Sequence, residues 1–290
     1  MHFGEDLDNE DKIKVHEIQQ NSKKFERRTS SQSSMSFTLL DKLAIPKQIF
    51  FTHYALISPY KNEFASNYLK MRKIDIRNWK YFAFNPINKE LYILNITPND
   101  RIIGYQIRQL DPNSKKSRYL SRTISKIYME MFNRDMSPIA EKLLTNEKLG
   151  EKYIEEEDGM ENIVANLDRL SGLFNIMNIN MSQTLTIVEG PIDSLGISNC
   201  IALQGATKMY EFFDKADNVR FLFDNDQTGK EMAIRKLKEH KSVFLWGMYM
   251  NMITSKEKIK DINDLQKKDL LKTETLEKCF SDDELDVVMI

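Results

Sequence analysis

The sequence predicts an α/β protein, α+β overall, in which a central parallel sheet follows a smaller mixed α/β unit rich in basic residues. From residue 185 onwards, short apolar runs alternate with segments of helical spacing, a pattern typical of βαβ units. Two of these runs, 185–188 and 219–223, are each followed directly by a carboxylate and then pass through a glycine into a helical segment. Residues 79–110 instead alternate like strands joined by turns, which favours a small β-rich unit before the parallel sheet.

Length and composition limit the possible classes of protein. The chain has 290 residues, enough for about two domains, and a net charge of −1, so only local basic patches can argue for nucleic-acid binding. Cys200 and Cys279 are far apart and are interpreted as reduced thiols of a cytosolic protein. The four histidines and two cysteines have no zinc-ligand spacing, so no zinc is expected. No apolar run is long enough for a membrane span, and we expect a cytoplasmic protein without a membrane partner.

Changes in composition divide the chain into five predicted segments. Residues 1–36 are polar and charged and are expected to form a flexible leader, with one short helix near 12–19. The remaining segments are a basic N-terminal subdomain at 37–130, a helical connector or insertion at 131–180, a parallel-sheet domain at 181–266, and a C-terminal helix with an acidic tail at 267–290.

The N-terminal subdomain is predicted to contain one amphipathic helix and three strands. Helical spacing of apolar residues begins at Lys61 and continues to Met71. Strands are predicted at 79–84, 91–96 and 102–110, because proline and asparagine residues mark turns between these apolar runs.

A basic segment ends this subdomain. Residues 101–126 contain seven lysines and arginines but one acidic residue, and aromatic side chains are interleaved with the cations. This combination suits a strand of nucleic acid, whose phosphates pair with cations and whose bases stack on rings. The alternative is a solvated basic loop. The candidate binding residues are Arg108, Lys115, Lys116, Arg118 and Tyr119.

The parallel-sheet domain is predicted to alternate strands with helices. The predicted strands are 185–188, 200–203, 219–223 and 242–246, and the predicted helices are 191–198, 207–215 and 228–239. Gly205 and Gly229 permit tight turns between a strand and the next helix. A final helix is predicted over 267–279, and the acidic tail around 282–286 is expected to be disordered.

Acidic side chains follow two of the parallel strands. Because ligands bind at the carboxyl ends of strands in open α/β sheets, we expect Glu189, Asp224 and Asp226 to converge. Converging carboxylates repel one another unless a cation lies among them, and their hard oxygen atoms suit Mg²⁺ or Mn²⁺. Asp193 or Asp226 could instead be a helix N-cap, and Asp-Asn-Asp also occurs in ordinary turns. Two such stretches in one βαβ pattern favour the metal site.

Three stretches resemble a known family. Glu189–Leu195 and Phe223–Gly229 look like the two signatures of the TOPRIM fold, and Lys260–Leu265 resembles the Asp-rich segment that follows the last TOPRIM strand in DNA primases. The closest resemblance is to the primases of tailed bacteriophages, which are related to the bacterial primases. Asn263 stands where an aspartate is usual in the bacterial pattern but agrees with the phage pattern, which leaves the number of ligands open.

The resemblance implies roles for the acidic residues. It implies a catalytic group of Glu189, Asp224 and Asp226, with Glu189 either a metal ligand or the group that manages the hydroxyl proton. It also implies two ions of Mg²⁺ or Mn²⁺. The implied metal ligands are Glu189, Asp193, Asp224, Asp226, Asp261 and Asp264.

The resemblance further implies a primase catalytic core that synthesises short RNA primers on single-stranded DNA from ribonucleoside triphosphates during phage replication. A replicative helicase is an implied partner. Complete primases of this kind carry a zinc ribbon, for which this chain has no cysteines. The gene is therefore expected to be split, truncated or partnered with a separate zinc-ribbon subunit. The alternatives are a TOPRIM nuclease and a non-catalytic nucleic-acid-binding replication subunit, since the fold alone does not settle function.

Overall fold

The computed structural model describes residues 35–115, 117, 119–145, 154–155, 159–204 and 218–290. The predicted leader helix near 12–19 and the predicted helix 207–215 lie outside these residues. In the part of the chain that is described, no helix is long and apolar enough to cross a membrane. One hydrophobic core cluster extends through both sheets of the molecule.

The N-terminal sheet is antiparallel and has five strands among the residues that the structure describes. In spatial order β1, β4, β3 and β2 are neighbours, and β5 also pairs with β4. The pairing of β3 with β4 spans the lengths of both strands, with one irregularity at Asn95 and Ile96. The strand bounds are Ile45–Pro46 for β1, Phe82–Asn85 for β2, Glu90–Ile96 for β3, Arg101–Gln109 for β4 and Tyr119–Arg122 for β5.

The strands predicted at 91–96 and 102–110 are confirmed, and the strand predicted at 79–84 begins later than expected. Residues Ile76–Tyr81 form a 3₁₀ helix rather than strand, because Asp75 accepts a hydrogen bond from the backbone N–H of Arg77 and starts a helical turn. Trp79 is buried there and donates its indole N–H to the carbonyl oxygen of Ile74 at 3.2 Å. The alternating pattern of Trp79 to Phe84 therefore indicates burial correctly, but strand only from Phe82.

Helices cover the N-terminal sheet and lead to the second one. The helix predicted from Lys61 is present and begins after Asn62, whose side chain accepts a hydrogen bond from the backbone N–H of Ala65. The segment predicted as a helical connector contains helices where it is described, together with turns at 133–136 and 172–175. The helix bounds are Lys47–His53 for α1, Glu63–Met71 for α2, Ile124–Phe132 for α3, Ser137–Thr145 for α4 and Met160–Ser171 for α5, and residues 35–43 are also helical.

The C-terminal sheet confirms the predicted α/β class. Its order is β10, β9, β8, β6, β7, and all pairs except β10 with β9 are parallel. The predicted strands are found where expected, although three of them end one or two residues earlier. The bounds are Leu185–Val188 for β6, Cys200–Ala202 for β7, Val219–Leu222 for β8, Ser242–Phe244 for β9 and Phe280–Ser281 for β10.

The helices of this half differ more from the predictions. The helix predicted over 191–198 ends at Ser194, and a helix begins directly after β9 at Trp246, whose indole N–H donates to the carbonyl oxygen of Phe223 at 2.9 Å. The helix predicted over 267–279 is also wrong at its start. Asp269 has a positive φ of 57°, which ends the preceding helix. The bounds are Pro191–Ser194 for α6, Gln227–Lys238 for α7, Trp246–Met252 for α8, Ile262–Lys267 for α9 and Thr273–Glu277 for α10.

The acidic tail is ordered, contrary to the expectation of disorder. Phe280 and Ser281 form β10 against β9, and Glu284–Met289 forms a 3₁₀ helix. Asp283 caps this helix by accepting a hydrogen bond from the backbone N–H of Leu285 at 2.9 Å. The composition of the tail suits solvent, but these short-range hydrogen bonds and the strand pairing hold it against the sheet.

Candidate active site

Glu189 and Asp224 lie side by side at the carboxyl ends of two neighbouring parallel strands. Val188 pairs in register with Leu222, so the residues that follow β6 and β8 leave the sheet at the same edge. The backbone N–H of Asp224 donates to Oε1 of Glu189 at 3.2 Å. The predicted convergence of these two residues is therefore present in the structure.

The turn from β8 into α7 depends on a glycine. Asp226 is the N-cap of α7 and accepts a hydrogen bond from the backbone N–H of Gly229 at 3.0 Å. A Cβ atom at Gly229 would lie 2.0 Å from the carbonyl oxygen of Asp224, so only glycine lets the helix begin this close to the strand end. Asp226 thus has the capping role that was the alternative to metal binding, while one carboxylate can serve both.

The segment before α9 adds Asp261 to the carboxylates at the ends of β6 and β8. Glu189, Asp224, Asp226 and Asp261 are together called the acidic edge. Asn225 donates its backbone N–H to the carbonyl oxygen of Lys260 at 2.6 Å and its side-chain amide to that of Ile259 at 3.0 Å. Asp261 caps α9 by accepting a hydrogen bond from the backbone N–H of Asp264 at 2.7 Å. Segments far apart in sequence are thereby fixed next to one another.

Asp193 links α6 to α9. Its Oδ1 atom accepts a hydrogen bond from the backbone N–H of Asn263 at 2.9 Å. Asn263 in turn accepts from Nη1 of Arg72 at 2.9 Å and donates to the carbonyl oxygen of Arg72 at 2.8 Å. Arg72 was not among the predicted site residues. The signal that could have identified it is its place among the basic residues at and after the end of α2.

The acidic groups act on one another electrostatically. Burial raises the pKa of Asp193 well above its ordinary range, and the charges of Asp261 and Asp224 raise it further. Burial, followed by the charges of Glu189 and Asp261, raises the pKa of Asp224 to about 7. Such mutual destabilisation of negative charge is what a bound cation would relieve. Carboxylate oxygen atoms are the type of donor that Mg²⁺ and Mn²⁺ prefer.

Lys260 partly offsets this negative charge. Its Nζ atom lies 3.4 Å from Oδ2 of Asp226 and 3.9 Å from Oδ2 of Asp224. Partial burial lowers the pKa of Lys260, but the carboxylates of Asp224 and Asp226 outweigh this and raise it. A lysine ammonium group is therefore the positive charge beside these two carboxylates.

The set of predicted metal ligands is not drawn to one point. Asp264 is engaged elsewhere, because it accepts hydrogen bonds from Nζ of Lys267 at 2.9 Å and from the backbone N–H of Lys260 at 3.2 Å. Within the described ranges, no group of three or more His, Cys, Asp or Glu side chains is arranged to hold a metal ion. Metal binding by these residues stays a prediction. In the structure, their partners include Lys260, Lys267 and backbone N–H groups.

Only part of the predicted nucleic-acid-binding group is described. Arg108 is 7% exposed near the end of β4, and its guanidinium carbon lies 5.5 Å from the ring centroid of Tyr68 and 5.2 Å from that of Tyr119. Lys115 is exposed, whereas Lys116 and Arg118 lie outside the described residues. Arg108 therefore lies between two aromatic rings rather than free in solvent.

The basic segment, residues 101–126, adjoins the acidic edge. Ser121 in β5 donates its hydroxyl to the carbonyl oxygen of Gln204 at 3.4 Å, and the backbone N–H of Gln204 donates to the carbonyl oxygen of Glu189 at 3.1 Å. The side-chain amide of Gln204 also donates to Oδ1 of Asn95 in β3 at 3.2 Å. One residue thus connects the N-terminal sheet to the first acidic residue of the C-terminal sheet.

Comparison with known proteins finds similar folds. No protein-family model and no curated protein match this sequence. The zinc-binding and RNA polymerase domains of the Aquifex aeolicus primase match with a TM-score of 0.45 and 16% identity, over 85% of this chain and 61% of that chain. A DnaG primase catalytic domain bound to ssDNA matches with a TM-score of 0.44 and 14% identity, over 87% and 84% of the two chains.

The E. coli primase catalytic core also matches, with a TM-score of 0.44 and 15% identity, over 83% of this chain and 79% of that one. The likeness is one of fold. The chain spans less than two thirds of the Aquifex aeolicus chain.

Proposed function

We propose that this chain is a primase catalytic core, a nucleotidyltransferase that synthesises short RNA primers on single-stranded DNA in phage replication. The observation that carries the proposal is the hydrogen-bonded pair of Glu189 and Asp224 at the carboxyl ends of adjacent parallel strands, next to a basic antiparallel sheet. An acidic edge suits metal-dependent phosphoryl chemistry, and a neighbouring basic surface suits the phosphates of a template or a nucleotide.

In this proposal, acidic residues bind metal ions and basic residues bind phosphates. When bound, two ions of Mg²⁺ or Mn²⁺ would supply charge neutralisation at the phosphates and activation of the 3′-hydroxyl. Asp224 and Asp226 would hold these ions, and Glu189 would be a further ligand or accept the hydroxyl proton. Asp193, Asp261 and Asp264 would contribute further oxygen atoms to these ions. The phosphates of template and nucleotide are held by Arg108, Lys115, Lys116 and Arg118, with Tyr119 for stacking.

The proposed partners follow from the same reaction. They are single-stranded DNA, ribonucleoside triphosphates and a replicative helicase in the cytoplasm of the infected cell. Because the sequence has no zinc-ligand spacing, a separate ribbon-bearing subunit is proposed to select the initiation site. The isolated chain would then start primers slowly and with little site preference, and the ribbon subunit would raise the rate.

The proposal is tested with a primer-synthesis assay that uses a single-stranded template, labelled ribonucleotides and Mg²⁺ or Mn²⁺. Wild type and the matched control Asp282→Asn, an exposed carboxylate in the tail, should give short labelled RNA, whereas Asp224→Asn should give none. Mn²⁺ should raise the melting temperature of wild type but not of Asp224→Asn, which tests metal binding without activity. Template cleavage without synthesis would favour a TOPRIM nuclease, and strand binding without either reaction would favour a non-catalytic subunit.

A further inference from the structure

A cleft separates α2 from the end of β4 and the turn that follows it. Its volume is about 740 Å³, which is within the usual range for small-molecule sites. Phe64, Tyr68 and Met71 from α2 form one wall, and Arg108 and Asp111 form the other. These residues of α2 belong to neither the acidic edge nor the predicted binding residues.

The side chains of this cleft are those that bind a flat, charged ligand. Phe64 is 50% exposed and Met71 is 64% exposed, so two large apolar side chains on one helix face open space. Arg108 is held between the rings of Tyr68 and Tyr119, which presents a cation beside these apolar side chains. The hydroxyl of Tyr68 is buried and has no hydrogen-bond partner among the described residues, and native structures seldom leave such a group unsatisfied.

We propose that this cleft binds one unpaired nucleobase, stacked against Phe64 and Met71, with the phosphate of the same nucleotide directed to Arg108. Asp111 lines the same cleft, and its carboxylate accepts a hydrogen bond from the backbone N–H of Asn113 at 3.0 Å. The inference rests on the proposed function and adds to it, because it assigns α2 to base binding. A nucleobase with its own phosphate is present both in a single strand and in a free ribonucleotide.

The expected loss of binding affinity follows from the strength of base stacking. Replacing an aromatic side chain that stacks on a base by alanine weakens single-strand binding by roughly 5- to 150-fold. Loss of Phe64 should leave the salt dependence of binding unchanged, since it contacts no phosphate. Base stacking and phosphate contacts can therefore be separated in one titration.

The test uses fluorescence titration of a short oligothymidylate that contains 2-aminopurine, whose fluorescence is quenched when the base stacks. Phe64→Ala should weaken binding at least fivefold and reduce the quenching, and Met71→Ala should change both in the same direction. Ile49→Ala is the matched control, because Ile49 is also 50% exposed on a helix but lies outside the cleft, and it should change affinity less than twofold. Thermal unfolding by circular dichroism checks that each variant is folded.

Two further ligands test whether the base is what Phe64 contacts and whether the base belongs to a strand or to a free nucleotide. A strand with abasic residues should bind wild type and Phe64→Ala equally, because the base is what Phe64 contacts. A 2-aminopurine riboside triphosphate replaces the strand in the second arm, and the ligand whose quenching depends on Phe64 identifies the source of the base. The inference is overturned if Phe64→Ala and Met71→Ala bind both ligands like wild type. It is also overturned if Phe64→Ala weakens binding of the abasic strand as much as binding of the intact strand. That outcome together with normal primer synthesis would reject the cleft alone and leave the proposed function standing.

Discussion

The pKa of Asp224 couples the acidic edge to stability. Burial and the neighbouring carboxylates raise this pKa from 3.8 to about 7 in the folded protein. The folded state therefore keeps its proton over a range in which the unfolded chain has lost it. This contribution to stability is complete below pH 3.8 and is lost as the pH rises towards about 7.

Metal-free wild type in a chelator should accordingly lose melting temperature between about pH 4 and pH 7 through this group. Asp224→Asn should show a flatter dependence and a higher melting temperature at neutral pH, because it removes a buried charge that its neighbours repel. Circular dichroism melts across this pH range measure both effects. Asp282→Asn is the control, and equal pH dependence in wild type and Asp224→Asn would contradict the assignment.

At the scale of elements, the start of α7 against β8 sets the position of Asp224 and Asp226. Gly229→Ala would place a Cβ atom 2.0 Å from the carbonyl oxygen of Asp224, so the helix must move away from the strand. We expect loss of Mn²⁺-dependent stabilisation and a lower melting temperature. Thr228→Ala, at the exposed neighbouring position of the same helix, should leave both unchanged. Normal Mn²⁺ binding by a folded Gly229→Ala protein would show that this close approach is not required.

Arg220 ties β8 to the C-terminal segment. Its guanidinium group donates to both carboxylate oxygens of Glu277 at 2.6 and 2.7 Å and lies 4.1 Å from the ring centroid of Phe280. Arg220→Ala should lower the free energy of unfolding by about 1–3 kcal/mol, since hydrogen bonds between charged groups are lost and Glu277 remains partly exposed. Urea unfolding followed by circular dichroism measures the change.

Arg235→Ala is the control for this contact. Arg235 pairs with Glu239 at 3.9 Å on the exposed side of α7, where an ion pair of this kind contributes less than about 0.5 kcal/mol. Equal losses for Arg220→Ala and Arg235→Ala would mean that the C-terminal segment is held by its strand pairing alone.

At the scale of the whole molecule, the net charge of −1 requires that nucleic-acid binding be local. Replacing Lys115, Lys116 and Arg118 together by alanine should weaken single-strand binding and reduce the slope of log affinity against log salt by about 2, at roughly 0.7 per phosphate contact. Fluorescence anisotropy at several salt concentrations gives the slope. The triple variant Lys238→Ala, Lys241→Ala and Lys256→Ala, with changes outside the basic segment, is the charge-matched control. An unchanged slope in the first variant would assign its three residues to ordinary surface.

The sequence predicts what depends on local pattern. The parallel strands follow from their apolar runs, and the adjacency of Glu189 and Asp224 follows from the position of each carboxylate directly after a strand. Contacts between distant segments were not predictable in this way. Arg72 meets Asn263 across 191 residues of sequence, and the engagement of Asp264 by Lys267 depends on where α9 begins.

The same reason explains the missed elements near the C-terminus. Tyr249 donates its hydroxyl to the carbonyl oxygen of Leu270 and accepts a hydrogen bond from the backbone N–H of Lys272, which fixes the chain between α9 and α10. The tail is ordered because Phe280 pairs with Phe244, a partner 36 residues earlier in the numbering. No pattern within the tail itself indicates this pairing.

The pairing of β10 with β9 also has a bearing on self-association. An outer strand with unpaired N–H and C=O groups is a template onto which a strand of another molecule can add. In the C-terminal sheet, β10 covers one outer strand, and at the other Phe174 exchanges two backbone hydrogen bonds with Ala202, at 2.9 and 3.3 Å. Both outer parallel strands therefore already have a partner from their own chain. A protein cleaved after Cys279 would expose β9, and light scattering should then detect aggregation that the intact chain resists.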